Sequence, residues 1–165
     1  AMLMTCDDEA IRAKILENFN DETNGTHNHR ELWLQFGEAI GASREDMKNS
    51  EMLPETAAAI ATFQSICASS YIQGAGALAA YESQMPAIAA KKIEGLEKNY
   101  GIFAGTEFFK VHGIIDVHHA QVWWDMIEGQ EADVAESVKA GRDALWNFLT
   151  GVLKAYMPEA LEMSC

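Results

Sequence analysis

Three polar residues in the run VHGIIDVHHA constrain this chain more than any other feature. His112, Asp116 and His119 are spaced His-x3-Asp-x2-His, positions i, i+4 and i+7. On an α-helix, at about 100° per residue, they fall at about 0°, 40° and −20°, so the three side chains share one narrow stripe. Two imidazoles with a carboxylate between them suit a divalent transition metal such as iron or manganese. Asp116 stands where it could bridge two ions while each histidine holds one. An amphipathic helix with a solvated polar face shows the same spacing, so the motif needs support from elsewhere in the chain. His118 serves as a control: at about 600° from His112 along the same helix it points to the opposite side.

Two other segments offer that support. Glu82 lies in the apolar stretch GALAAYESQMPAIAA. A carboxylate there costs several kcal/mol to bury alone, so it calls for a cation or strong hydrogen-bond donors. Glu22 and His29 lie in DETNGTHNHRELW. On an unbroken helix they are co-facial but about 10.5 Å apart along the axis, too far to share a metal closely. Asn24-Gly25 between them is a natural interruption that would draw them together. His27, two residues from His29, would point elsewhere on a helix. Glu22, His29, Glu82, His112, Asp116 and His119 make three carboxylates and three histidines, a shell suited to two divalent ions with room for water or O₂. Di-iron carboxylate proteins build such sites from side chains that project into a helical bundle.

Composition narrows the class. The chain has 165 residues, 48% of them hydrophobic, with only 3 prolines, which fits one long-helix domain over 1–165. A net charge of −13 argues against nucleic acid as a partner, because phosphate binding needs clustered Lys and Arg. It argues equally against an anionic membrane surface. No apolar run approaches the roughly 20 residues of a membrane span. The start, AMLMTCDDEA, turns acidic too early for a secretory signal. Cys6, Cys67 and Cys165 are an odd number without Cys-x-x-Cys spacing, which predicts reduced thiols in the cytoplasm. Cys67 falls in an apolar run that reads as core.

Helical periodicity is continuous, with no repeat and no strand-like alternation. Helices are predicted over 7–21, capped by Asp7 or Asp8 with Ile11, Ile15 and Phe19 on one face, and over 28–41, ending at Gly41. A polar connection leads to Pro54, and helices follow over 55–72 and 75–99. Gly74 and Gly76 permit close packing or a bend, and Pro86 predicts a kink that could aim Glu82. The stripe lies on a helix over 106–128, after a loop marked by Gly101 and Gly105. A last helix over 131–156 carries Val134, Val138, Leu145, Phe148, Val152 and Tyr156 at the spacing of a buried stripe. Trp33, Trp123, Trp124 and Trp146 read as core, with Trp123, four residues beyond His119, as a wall for a metal pocket.

Taken in order, Glu22-x6-His29, Glu82 and His112-x3-Asp116-x2-His119 resemble the ligand set of the heme-oxygenase-like di-iron oxidases and oxygenases. CDDEAIRAKILENFNDETNG, NHRELWLQFGEAIG and YESQMPAIAAKKIEGL, with the histidine helix, closely resemble the CADD subgroup, named for a chlamydial protein that associates with death domains. The resemblance covers nearly the whole chain. It implies an all-α, heme-oxygenase-like bundle, two iron ions or a mixed iron and manganese pair, O₂ as co-substrate, and a role in forming 4-aminobenzoate for folate. Pyrroloquinoline-quinone synthase and the thiaminase TenA share that fold but not this ligand set. Members of the subgroup are proposed to consume their own side chains, a tyrosine for the ring and a lysine for the nitrogen. Lys92 matches the position of that lysine, beside an ordinary Lys91. The tyrosine is not carried over, because it belongs to an early helix before the segment where this chain begins. The chain starts at what corresponds to the third helix of a roughly seven-helix fold, so the first two helices either were removed from it or are lacking in this member. Apolar surface left bare in that way implies association into a homo-oligomer. An external small-molecule substrate is not implied by any residue.

Two rivals accompany this reading. One is a protein-interaction module with a vestigial polar stripe, which predicts no metal retention and a stable complex with a helical partner. The other is a metal-independent oxidase or hydrolase on the same fold, which predicts stabilisation by an organic ligand that chelators leave unchanged.

Overall fold

Side-chain caps and prolines punctuate this chain into helices, and a computed structural model describes residues 1–24 and 28–159. A 3-10 turn at Met2–Met4 is followed by eight α-helices among the described residues. They are α1 (Glu9–Thr23), α2 (His29–Ala39), α3 (Arg44–Asn49), α4 (Pro54–Ser69), α5 (Tyr71–Glu82), α6 (Met85–Tyr100), α7 (Glu107–Met126) and α8 (Glu131–Tyr156). No strand occurs among the described residues, so the all-α expectation holds. No helix among them is long and apolar enough to cross a membrane. The expectations for Gly25, His27 and Cys165 fall outside the described residues.

The starts of α1, α2 and α3 have a common cause. The Asp8 carboxylate accepts from the backbone N–H of Ala10 and Ile11 at 2.8 and 3.0 Å. The Asn28 side-chain amide oxygen accepts from Glu31 N–H at 3.0 Å, and the Ser43 hydroxyl from Asp46 N–H at 3.1 Å. Each cap satisfies donors that a helix start leaves without a partner. The Ser43 cap converts part of the expected polar connection into α3.

Two further breaks differ from expectation. The chain is interrupted at Ser70, which is extended at φ −165° and ψ 147°, so α4 ends there. Gly74 and Gly76 lie inside α5 and serve close packing instead of a bend. The segment expected as one kinked helix is two helices, with α5 ending at Glu82 and α6 opening at Met85. Pro86 lies in the first turn of α6, where its missing N–H costs nothing and its fixed φ suits the helix. Gly101 at φ +65° closes α6 in the left-handed conformation that residues with a Cβ avoid.

The chain forms two compact units. One takes in Ala1–Cys6, Glu51–Tyr81 and the chain from Trp123 onward. In it α4 packs along α8, and the buried face of α8 is Val134, Ser137, Gly141, Ala144 and Gly151. Of the expected stripe only Val134 is fully buried; Leu145 and Phe148 are half-buried, and Tyr156 is exposed. Small residues win this face because they let backbones approach: a Cβ on Gly151 would stand 2.7 Å from Glu55 Cβ, and one on Gly141 3.2 Å from Ala77 Cβ. Trp123 is fully enclosed, whereas Trp33, Trp124 and Trp146 are exposed, against the core reading. Cys6 is buried; Cys67 is half-buried, and burial pushes its thiol pKa up.

The other unit comprises Asp7–Ser50 and Glu82–Val122. Its apolar core joins Phe36 of α2, Ala89 of α6 and Phe109 of α7, with Ile93, Leu96 and Phe108 against them. Phe36 and Phe109 meet edge to face at 4.9 Å, and Trp33 meets Phe108 at 4.9 Å. On α1 the expected face is only partly realised, with Ile15 buried and Phe19 59% exposed. A bidentate ion pair ties α3 to α2: Arg44 donates to Glu31 at 2.7 and 2.9 Å and also reaches Glu38.

Candidate metal centre

The polar stripe of α7 turns inward. His112, Asp116 and His119 are 8%, 2% and 2% exposed, whereas His118 beside them faces solvent. Three polar side chains buried on one face of a 20-residue helix need partners from other elements. The end of α1 and the start of α2 supply them. Glu22 occupies the last turn of α1 and His29 the first position of α2. The interruption between the helices brings them together, and Glu22 Oε2 pairs with His29 Nδ1.

Five of the six expected ligands thereby converge within one compact unit. Glu22, His29 and His112 each offer one donor atom, with all three atoms within 4.8 Å of one another; so do Glu22, Asp116 and His119. Glu22 belongs to both groups. Asp116, expected to stand between two ions, falls in one of the two groups. Glu82 is buried at the end of α5, 8% exposed, and belongs to neither group. Lys92 is exposed on α6, as is Lys91.

The hydrogen bonds of the imidazoles decide which ring nitrogens face the cluster. His112 Nδ1–H donates to the Phe108 carbonyl at 2.7 Å, one turn back on α7, which leaves Nε2 with its lone pair. His119 Nε2–H donates to the Asp21 carboxylate at 3.2 Å, which leaves Nδ1. That Nδ1 lies 3.7 Å from Glu22 Oε1 and 3.8 Å from Asp116 Oδ1, beyond hydrogen-bonding range of either. The His29 and His112 rings lie side by side, centroids 4.2 Å apart.

Electrostatics give this cluster its character. Burial, with the Glu22 carboxylate nearby, pushes the Asp116 carboxyl up to about 7, partly opposed by His29. Burial lowers the His112 pKa, against the Phe108 carbonyl, which favours the protonated ring. Both shifts have one cause, since an enclosed site disfavours charge of either sign unless a counter-charge enters. Three side-chain atoms here are buried without a hydrogen-bond partner: His29 Nε2, Asp116 Oδ2 and His119 Nδ1. Each such atom costs about 1–3 kcal/mol when left unsatisfied. All three are lone-pair donors, and their residues all belong to the two groups around Glu22. That donor set, nitrogen and carboxylate oxygen, fits a divalent transition metal.

Sequence reasoning missed Asp21 and Asn18. Both line a small cleft on α1 with Lys14, Glu17, His118, His119 and Val122. Asp21 precedes Glu22 and carries no motif of its own, and its partner His119 is 98 positions away, so only the packing of α1 on α7 exposes the link.

Comparison with known proteins agrees with the chemistry of the donors. The sequence model of the iron-containing redox enzyme family matches residues 1–151. The chain is similar to the 4-aminobenzoate synthase of Nitrosomonas europaea, 40% identical over 158 residues, covering 90% of this chain and 64% of that protein. It is similar to the 4-aminobenzoate synthase of Chlamydia trachomatis, 36% identical over 164 residues, covering 97% of this chain and 71% of that protein. The pyrroloquinoline-quinone synthase of Klebsiella pneumoniae is 24% identical over 168 residues, covering 94% of this chain and 66% of that protein. The chain thus spans just under two thirds of the Nitrosomonas protein's length. An enclosed cluster of histidine and carboxylate donors on a helical scaffold, matched over nearly its whole length, places this chain in the iron-containing redox enzyme family.

Proposed function

We propose that the two groups sharing Glu22 hold two iron ions, or one iron and one manganese, and that the chain carries the O₂-dependent chemistry of a 4-aminobenzoate-forming oxidase. The observation that carries this reading is the set of buried donor atoms without hydrogen-bond partners, His29 Nε2, Asp116 Oδ2 and His119 Nδ1, gathered around one shared carboxylate. The name 4-aminobenzoate synthase, borne by relatives 36% and 40% identical, supports the product class.

Reduced iron, when bound, supplies the electrons that activate O₂. The protein's own contribution is placement. Glu22 would serve both ions, with His29 and His112 holding one and Asp116 and His119 the other. Glu82 is assigned as the sixth ligand on the strength of its burial at the end of α5. The Phe108 carbonyl holds a proton on His112 Nδ1, which keeps Nε2 available. Asp116, whose carboxyl burial pushes up to about 7, would have to release its proton to hold a cation, which would couple metal uptake to proton release. Lys92, exposed on α6, is assigned as the source of the amino nitrogen through the family resemblance.

The test is anaerobic loading with Fe(II), exposure to O₂, measurement of O₂ uptake, and peptide mass spectrometry of the segment that carries Lys92. Uptake above that of Fe(II) alone, abolished in His112→Ala, supports oxygen activation at this cluster. A change in the mass of the Lys92 side chain after O₂ exposure, read on the peptide that carries it and absent in His112→Ala, supports the nitrogen assignment. Equal uptake by wild type and His112→Ala sinks the proposal.

A further inference from the structure

A positioning role outside the ligand set falls to Asp21. Its carboxylate accepts the Nε2–H of His119 at 3.2 Å, from a different helix. His119 is 2% exposed, whereas the Asp21 side chain is 41% exposed, so the pair runs from the enclosed cluster to the surface cleft of α1. A neutral imidazole carries one proton. Held on Nε2 by Asp21, that proton leaves the Nδ1 lone pair facing Glu22 and Asp116. With the proton on Nδ1, the ring would present a donor to the cluster and could not ligate a cation through that atom. The other two histidines are fixed from elsewhere, His112 by a backbone carbonyl and His29 by Glu22 itself. Asp21 is thus the one of these three restraints that a substitution can remove without touching a candidate ligand.

We infer that Asp21 is a positioning residue for the Glu22/Asp116/His119 half of the centre: it sets the tautomer and ring orientation of His119 and thereby the affinity of that half for a divalent cation. The inference rests on the metal reading above and adds an asymmetry to it. Outer partners of metal-ligating histidines typically contribute on the order of 10- to 100-fold in affinity. The other half, Glu22/His29/His112, has no contact with Asp21 in its own hydrogen bonds and keeps its affinity.

The experiment titrates wild type, Asp21→Asn and Asp21→Ala with Co(II), following the visible absorption of each bound ion. Nitrogen-15 NMR of the histidine rings in the metal-stripped proteins accompanies it. Wild type is expected to show His119 as the Nε2–H tautomer. In Asp21→Ala that signal shifts toward the Nδ1–H form, and one of two Co(II) steps weakens by roughly 10- to 100-fold. Asp21→Asn keeps an acceptor oxygen and falls between the two. A merely structural role would lower the melting temperature of the stripped protein and leave the tautomer and both Co(II) steps unchanged. That result, or equal weakening of both steps, overturns the inference. Failure of wild type to bind Co(II) overturns the metal reading itself and the inference with it.

Discussion

At the scale of single residues, Asp116 is the group most at odds with its surroundings. Its carboxyl is enclosed, one oxygen lacks a hydrogen-bond partner, and burial with Glu22 nearby holds the pKa up at about 7. Because the folded pKa lies above the unfolded 3.8, this carboxyl supports the fold fully below about pH 4, and that support is lost as pH rises through about 7. Metal reverses the sense, since a cation favours the ionised form. Asp116→Asn should therefore raise the melting temperature of the stripped protein at pH 7.5, by roughly 2–4 °C per kcal/mol of relieved repulsion. That difference should vanish at pH 4, and Fe(II) should stabilise the variant less than the wild type, because only the Glu22/Asp116/His119 group is altered. Thermal denaturation at the two pH values, with and without Fe(II), reads all of this; a stripped variant less stable than wild type at pH 7.5 contradicts it. Much of this residue-level picture was legible in the chain. The spacing of His112, Asp116 and His119 fixes one stripe on any helix, and the structure buries that stripe while leaving His118 outside. The place of Glu22 in both groups and the tie from Asp21 to His119 were not legible. Both depend on where the end of α1 lies against α7, and local spacing carries no information about that.

At the scale of elements, the departures from expectation come from small residues and local caps. The apolar stripe expected on α8 predicted large residues in the core, yet the face that packs is Val134, Ser137, Gly141, Ala144 and Gly151. Hydrophobic periodicity marks a face but does not say how closely two backbones approach. Gly76 and Gly95 separate propensity from packing. Either alanine gains up to about 1 kcal/mol of helix propensity. At Gly95 the nearest outside atom to a new Cβ is Asn99 Nδ2 at 3.8 Å, so Gly95→Ala should stabilise by about that amount. At Gly76 the Cβ would lie 2.9 Å from Val134 Cβ and 3.2 Å from Ser137 Oγ, and the Val134 Cβ is fixed by its backbone. Overpacking of this kind costs about 1–3 kcal/mol, so Gly76→Ala should destabilise in urea titrations. A stabilised Gly76→Ala would show that α5 and α8 are less tightly apposed than described. The α2–α3 ion pair makes a different prediction. Arg44 holds the Glu31 carboxyl down from 4.5 to about 2, chiefly by direct hydrogen bonds. Its contribution is present above about pH 4.5 and is lost as pH falls through about 2. Arg44→Met should thus lower the melting temperature slightly at neutral pH, and the gap should close toward pH 2. An unchanged gap at pH 2 would assign the loss to the packing of the Arg44 stem.

At the scale of the whole chain, a net charge of −13 coexists with the clustered Glu22 and Asp116 carboxylates, an arrangement that costs stability through like-charge repulsion. The family match over residues 1–151 and the all-helical architecture agree with the reading made from the three motifs in order. The separation into two compact units was not foreseen, because helical periodicity runs through both alike. All five converging donors belong to one of those units, so the candidate centre can be tested through them alone. The most direct measurement is the metal content of anaerobically Fe(II)-loaded protein for wild type, Glu22→Ala, His112→Ala and His119→Ala. A shared carboxylate between two groups predicts about two ions in wild type, about one in each histidine variant, and close to none in Glu22→Ala. Wild type that retains no iron, or histidine variants that retain as much as wild type, would contradict the dinuclear centre.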